Sequence, residues 1–151
     1  MKIIVIALLL CFAMSYKRER AVEYARQYCR SYNRNYINYA ELIGDSANYV
    51  SQCLLAGGVN LGGCAGRDSH GAIPIVSNLR TCLASRGWKN TLGYNSRFLD
   101  GYPFFLENDE AYIATQVVGR NIKYCAHAQD SGFKCDTLLG SNLQQYRFYY
   151  L

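Results

Sequence analysis

Residues 44–58 restrict the fold of this chain most strongly, because their pattern defines both ends and the buried face of one helix. Asp45 belongs to the residue types that cap helix N-termini. The apolar residues recur at the spacing of one helical face: Tyr49, Val50, Cys53 and Leu54. Gly57 and Gly58 end the helix, since glycine adopts the left-handed C-terminal conformation without steric cost. The segment therefore predicts a buried helix whose first turn carries Ser46.

The position of Ser46 is one at which a hydrolase could activate a nucleophile. The first turn of a helix is the positive end of its dipole and has backbone N–H groups without intrahelical partners. These features lower the pKa of a cysteine thiol, and they can stabilise an oxyanion. A serine hydroxyl at this position would still need a neighbouring base. The alternative is that Ser46 shares the capping of the helix with Asp45.

The run from Gly44 to Gly58 resembles the signature of the putative amidase domain family, distant relatives of the NlpC/P60 and papain-like cysteine hydrolases. In that family it reads Gly-Asp-Cys-Thr-Asn-Phe-Val-Ser-Gln, then a hydrophobic turn and Ala-Gly-Gly. Ser46 stands where the nucleophilic cysteine belongs. The resemblance implies an α+β, papain-like fold in which N-terminal helices pack on a small antiparallel sheet. It also implies packing, hydrogen-bonding or ligand-binding roles for three polar residues of this segment: Asp45, Asn48 and Gln52.

The resemblance continues downstream and indicates two further positions of the family's catalytic site. A second family motif ends in a histidine that opens a strand, and residues 99–114 match it with Tyr112 in place of the histidine. A phenol has a reference pKa of about 10, so Tyr112 is not a useful base at neutral pH. The third position is a polar residue that orients the base. It falls on His127, within residues 122–130.

The replacement of two of these three positions predicts a non-catalytic member of the family. Without a base, the proton-transfer step is lost, which is worth about 10²–10⁴ in rate. The groove could still bind a peptide, a peptidoglycan fragment or another protein. One alternative is an active amidase or peptidase in which His127 serves Ser46 directly and Tyr112 donates a hydrogen bond. Another is a disulfide-stabilised structural or interaction protein whose groove is filled by Tyr112 packed over Ser46.

The first fifteen residues predict a signal peptide. Lys2 is followed by an apolar run over residues 3–12 and by small residues before position 16. The run is too short to span a bilayer. We therefore expect residues 16–151 to form a single amidase-like domain. The same reasoning predicts a secreted protein, or one in the lumen of the secretory or endolysosomal pathway.

The cysteines that follow the predicted signal peptide are even in number: Cys29, Cys53, Cys64, Cys82, Cys125 and Cys135. In a small secreted chain this predicts three disulfides, with several connectivities open. Cys125 and Cys135 are the favoured first pair, because they flank one short loop. With no Cys-x-x-Cys and two histidines in the chain, a metal site is not expected. No cofactor and no nucleic acid partner is expected either.

Periodicity along the chain predicts three helices followed by strands, which is an α+β arrangement. The helices are expected over residues 18–32, 46–56 and 76–86, with a glycine-rich loop over 59–74 that holds a solvated His70. Strands are expected over residues 103–106, 112–118, 122–126 and 146–151. Basic residues cluster on the first helix, either as a solvated face or as a surface that attracts anions: Lys17, Arg18, Arg20, Arg26, Arg30 and Arg34.

Overall fold

A computed structural model describes residues 15–129 and 132–151, so all but the last residue of the predicted signal peptide lies outside the described residues. The described chain is α+β, as predicted. Its helices are α1 (Arg18–Tyr28), α2 (Ser46–Ala56) and α3 (Val76–Ser85), with a short 3₁₀ helix at Leu143–Gln145. Its strands are β1 (Lys89–Leu92), β2 (Pro103–Leu106), β3 (Glu110–Val118), β4 (Asn121–Ala128), β5 (Gly132–Leu138) and β6 (Arg147–Tyr150). No helix in this part of the chain is long and apolar enough to cross a membrane.

The six strands form one antiparallel sheet in the order β1-β6-β2-β3-β4-β5. The four predicted strands correspond to β2, β3, β4 and β6, which carry the buried apolar residues. Strands β1 and β5 were not predicted, and they are the two edges of the sheet. Neither contains a fully buried residue, so neither shows the apolar alternation by which a strand is recognised in a sequence.

The two faces of the sheet are covered differently. Phe104 is paired with Tyr112 on β3 and with Phe148 on β6, and paired residues of an antiparallel sheet share a face. We call this the aromatic face. The loop over residues 93–102 covers it, with the Phe98 ring 4.8 Å from that of Phe148.

The opposite face, which we call the helix face, carries the neighbouring residues of the same strands. Phe105 pairs with Ala111 on this side. Tyr149 lies 5.0 Å from Phe105, ring to ring, and its hydroxyl accepts a hydrogen bond from Arg80 of α3. Helix α2 packs here against β3 and β4, and α1 packs against α2.

Helix α1 ends at Tyr28, four residues before the predicted end. The carbonyl of Tyr28 accepts a hydrogen bond from His127 on β4, and Cys29 forms a disulfide with Cys135 on β5. Both contacts draw the chain toward the sheet, so the helix does not continue. At its other end α1 lies against Gly101, where a Cβ atom would come within 2.7 Å of Arg18.

The prediction of three disulfides, and of a Cys125–Cys135 pair, is wrong. The described residues contain a long-range disulfide, Cys29–Cys135, and a short-range disulfide, Cys64–Cys82, which span 106 and 18 residues. Cys53 and Cys125 are free and buried. Residues 125 and 135 lie on adjacent strands, but Cys125 faces the core beside α2, whereas Cys135 reaches the end of α1. Burial raises the pKa of both free thiols.

Candidate functional site

Ser46 is the first residue of α2, and it is tied to the sheet. Its Oγ accepts a hydrogen bond from the backbone N–H of Ala111 on β3, at 3.1 Å. The side chain of Asp45, at the N-cap position, makes no capping hydrogen bond to the helix. The alternative in which the two side chains share the capping of α2 is therefore wrong. Helix α2 thus begins against β3, the strand that carries Tyr112.

Asp45 and His127 form a buried pair beside Ser46. Asp45 Oδ2 lies 2.7 Å from His127 Nδ1, and both side chains are less than 5% exposed. The other carboxylate oxygen of Asp45 accepts hydrogen bonds from the Tyr39 backbone N–H and the Asn48 amide. The His127 ring stacks on Tyr49 of α2, with the ring centroids 4.0 Å apart. The pair thus anchors the start of α2 to β4.

Both ring nitrogens of His127 are occupied. Nε2 lies 2.8 Å from the Tyr28 carbonyl oxygen, which can only accept a hydrogen bond, so Nε2 carries a hydrogen. Nδ1 faces Asp45, and it either donates to the carboxylate or accepts from the protonated acid. In both cases the imidazole has no free lone pair. In this arrangement His127 cannot take a proton from Ser46.

Tyr112 does not lie beside Ser46, which corrects the prediction that the two face each other. Its ring is on the aromatic face, stacked on Phe104 at 4.9 Å. Its hydroxyl donates to Glu110 Oε2 at 2.5 Å, and burial, followed by this carboxylate, raises the pKa of the phenol. Successive side chains of a strand point to opposite faces, so the β3 residue on the Ser46 side is Ala111. Alanine offers no group that could act as a base.

The predicted binding residues Asp45, Asn48 and Gln52 lie in two different environments: Asp45 and Asn48 are hydrogen-bonded to each other, and Gln52 is elsewhere on α2. Asp45 belongs to the pair with His127. Asn48 Nδ2 donates to the Ile37 carbonyl and to Asp45, which holds the preceding loop against α2. Gln52, two turns along α2 from Asp45, accepts a hydrogen bond from the Tyr24 hydroxyl and lines a separate pocket.

A cleft of two small pockets surrounds the start of α2. We call them the Ser46 pocket, of about 160 Å³, and the His127 pocket, of about 180 Å³. Gly44 and Gln129 line both, so they form the ridge between them. Gly44 has φ +87°, and a Cβ atom there would come within 3.4 Å of the Gln129 side chain. That distance is an ordinary contact, so glycine is favoured at this ridge by its backbone conformation rather than by lack of space.

The rims of the two pockets are apolar, and sequence reasoning missed them. Tyr32 and Phe133 form the wall of the His127 pocket, with their rings 5.1 and 4.9 Å from the imidazole. Ile43 and Ile75, both exposed, line the Ser46 pocket. These residues come from loops and from the unpredicted strand β5, and no motif joins them. The sequence offered one indication of such a rim residue, namely Phe133, an isolated aromatic residue in a polar segment.

The charged residues that line the two pockets of the cleft are acidic. Asp45 lines the His127 pocket and Asp109 lines the Ser46 pocket, and neither pocket is lined by a lysine or arginine. Within residues 15–129 and 132–151, no group of three or more histidine, cysteine or acidic side chains is placed to hold a metal ion. His70 is exposed in its loop, where its Nδ1 lies 3.1 Å from Ser69 Oγ.

The comparison with known families concerns the part of the chain that carries the three helices. In the α+β fold, α2 begins against an antiparallel sheet with a small hydroxyl side chain, Ser46, as its first residue. The model of the putative amidase domain family matches residues 15–100, which is more than half of the chain. The chain therefore belongs to this family. The match ends just before β2, so it includes Ser46 but neither Tyr112 nor His127. Comparison with curated proteins and with solved structures gave no match.

Proposed function

We propose that this chain is a secreted, non-catalytic member of the putative amidase domain family, with a papain-like fold, and that its cleft binds a peptide or a peptidoglycan fragment. One observation carries the proposal: the start of α2 faces Ala111, while both nitrogens of the nearby imidazole are held by Asp45 and Tyr28. The two disulfides support secretion, because such bonds persist in oxidising compartments.

The arrangement around Ser46 supports the loss of catalysis. The dipole of α2 cannot ionise a hydroxyl by itself, so attack on a carbonyl would require a base within hydrogen-bond reach. For His127 to serve as that base, it would have to leave two hydrogen bonds and its stacked position on Tyr49. For this reason an active hydrolase in which His127 serves as the base for Ser46 is the weaker interpretation.

The open pockets favour ligand binding over a purely structural role. A structural role would be supported by a tyrosine packed over Ser46, but Tyr112 lies on the opposite face of the sheet and Ser46 lines a pocket. At about 30 Å³ per water molecule, each pocket has room for about five or six waters, which is enough for one side chain. An extended peptide could therefore cross the Gly44–Gln129 ridge and place one side chain in each pocket.

Binding can be tested by titrating the isotope-labelled chain with a peptidoglycan stem tripeptide and following backbone amide resonances. We expect shifts at Gly44, Ser46 and Gln129. Ile75→Ser removes an apolar rim residue that is 46% exposed, and it should weaken binding by about tenfold, or about 1.4 kcal/mol. Leu92→Ser, at a 64% exposed site on β1, is the matched control and should have no effect. Equal loss in both variants, or no shifts in the cleft, would contradict the proposal.

A histidine introduced at position 111 or at position 112 tests which of the two positions could supply the missing base to residue 46. Ser46→Cys combined with Ala111→His places a thiol and an imidazole on the same side of β3. Ser46→Cys combined with Tyr112→His places the imidazole on the aromatic face. We expect hydrolysis of the stem peptide to appear only in the first pair. Histidine at the fully buried position 111 should cost about 1–3 kcal/mol, so circular dichroism must first show that both variants are folded.

A further inference from the structure

A third pocket lies along α2, away from the cleft. We call it the Gln52 pocket. It has a volume of about 380 Å³ and is lined by Tyr24, Asn33, Asn35, Tyr36, Gln52, Leu55, Ala56 and His70. None of these residues lines the His127 or the Ser46 pocket. Gln52 is six residues after Ser46, which corresponds to about 9 Å along a helix axis. The pocket is therefore a separate feature of the same helix.

A chain of hydrogen bonds fixes the polar wall of this pocket. Asn33 Nδ2 donates to the Tyr24 hydroxyl at 3.0 Å, and that hydroxyl donates to Gln52 Oε1 at 2.6 Å. Asn33 Oδ1 accepts from the backbone N–H of Asn35. Because the acceptor of Gln52 is used in this way, the orientation of its amide group is set. The remaining Gln52 donor, Nε2, is then presented to the pocket.

The Gln52 amide keeps one donor that the protein does not use. The residue is 5% exposed, and its Nε2 has no acceptor among the described residues, but this atom is open to solvent, unlike Asn48 Oδ1, which is buried without a partner. The Asn35 amide and the Tyr36 hydroxyl also line the pocket and make no side-chain hydrogen bond within the described chain. A ligand that accepts hydrogen bonds here would take the place of water at this donor.

The lining favours one class of ligand. It contains no aspartate, glutamate, lysine or arginine, so an ionic ligand would be desolvated without a counter-charge. An apolar ligand would leave the Gln52 donor unpaired. Amide and phenol groups together donate and accept hydrogen bonds, which matches hydroxyl groups on a ligand. Tyr24 and Tyr36 add flat apolar surface, on which the C–H face of a ring can pack.

We propose that the Gln52 pocket binds one ring of a neutral saccharide. At about 30 Å³ per water molecule, a volume of about 380 Å³ corresponds to on the order of twelve waters. This is more than enough room for one hexose, because covalently bonded atoms lie closer together than water molecules do. The ring could be a free sugar or the terminal ring of a longer glycan. Both present the same hydroxyl pattern to the Gln52 amide and the Tyr36 ring.

The test is a titration of the isotope-labelled chain with the methyl glycosides of glucose, galactose and N-acetylglucosamine, and with a trisaccharide of each. We expect at least one glycoside to bind with a Kd on the order of 1 mM and to shift the resonances of Tyr36 and Gln52. Tyr36→Ala should weaken that binding by about tenfold or more. Tyr32→Ala is the matched control, since Tyr32 is a half-exposed tyrosine of the His127 pocket, and it should leave the Kd unchanged.

The trisaccharides identify the source of the ring. Equal affinity for a methyl glycoside and its trisaccharide would support a free sugar as the ligand, and tighter binding of the trisaccharide would support a glycan end. The proposal is overturned if no sugar binds at about 50 mM, well above the expected Kd. It is also overturned if Tyr36→Ala has no effect, or if the shifts map to the cleft. Since the cleft is tested with a peptide, the two proposals can fail independently.

Discussion

His127→Ala should destabilise the chain severely, because it leaves two buried groups without partners. The buried Asp45 side chain would lose its hydrogen-bond partner at Oδ2, and a buried polar group left unpaired typically costs about 1–3 kcal/mol. The Tyr28 carbonyl would lose its donor, and the ring stacked on Tyr49 would be lost, which is worth about 0.5–1.5 kcal/mol. These effects overlap, and we expect a total of about 4 kcal/mol. For a domain of this size, that loss lowers Tm by about 12 °C.

The measurement is guanidinium chloride unfolding at pH 7, followed by circular dichroism and analysed with a common m-value. His70→Ala is the matched control, because His70 is exposed and the hydrogen bond of its ring within the described residues is to the neighbouring Ser69; it should stay within about 0.5 kcal/mol of the unmodified chain. A loss below about 1 kcal/mol for His127→Ala would refute the reasoning, since the buried pair would then not anchor α2.

Three further predictions concern the disulfides, the thiols and one acidic residue. Replacing both cysteines of the long-range disulfide with serine should cost about 1.5 kcal/mol more than the same change in the short-range disulfide, because the closed loops differ in length; thermal unfolding of the two variants measures this difference. Ellman's reagent should find no reactive thiol in the folded chain from residue 16, and two after unfolding, since burial raises the pKa of Cys53 and Cys125. Burial tends to raise the pKa of Asp136, but hydrogen bonds from Thr115 and Arg26 outweigh it and lower the pKa. The stabilisation is then present above the unfolded pKa of about 3.9 and is lost as the pH falls through the lower folded pKa. Unfolding curves should therefore separate the unmodified chain from Asp136→Asn at pH 7 and converge once the pH is below the folded pKa.

The sequence predicted the elements whose pattern is local. Helix α2 was predictable because its apolar face and terminal glycines lie within fifteen residues. The strands with buried alternation were predictable for the same reason. The edge strands β1 and β5 were not, because their side chains are exposed and their backbone pairing with distant strands leaves no pattern in the sequence.

The candidate site shows how much a small error in register matters. The sequence placed the correct strand against Ser46, but it chose Tyr112 rather than Ala111 as the facing residue. A shift of one residue along a strand moves a side chain to the other face of the sheet. Motif matching alone could not resolve this, because an alignment can shift by one residue while the motif remains recognisable. The prediction of the disulfides was wrong for a related reason: it relied on proximity along the chain, whereas Cys29 pairs with the distant Cys135.

The most direct test of the central claim is hydrolysis of peptidoglycan fragments by the unmodified chain beside its Ser46→Ala variant, with products separated by chromatography. The arrangement of Ser46, Ala111 and His127 predicts that neither protein releases product above the buffer background. Turnover by the unmodified chain that disappears in Ser46→Ala would contradict the account, because it would require a base that the folded cleft does not present.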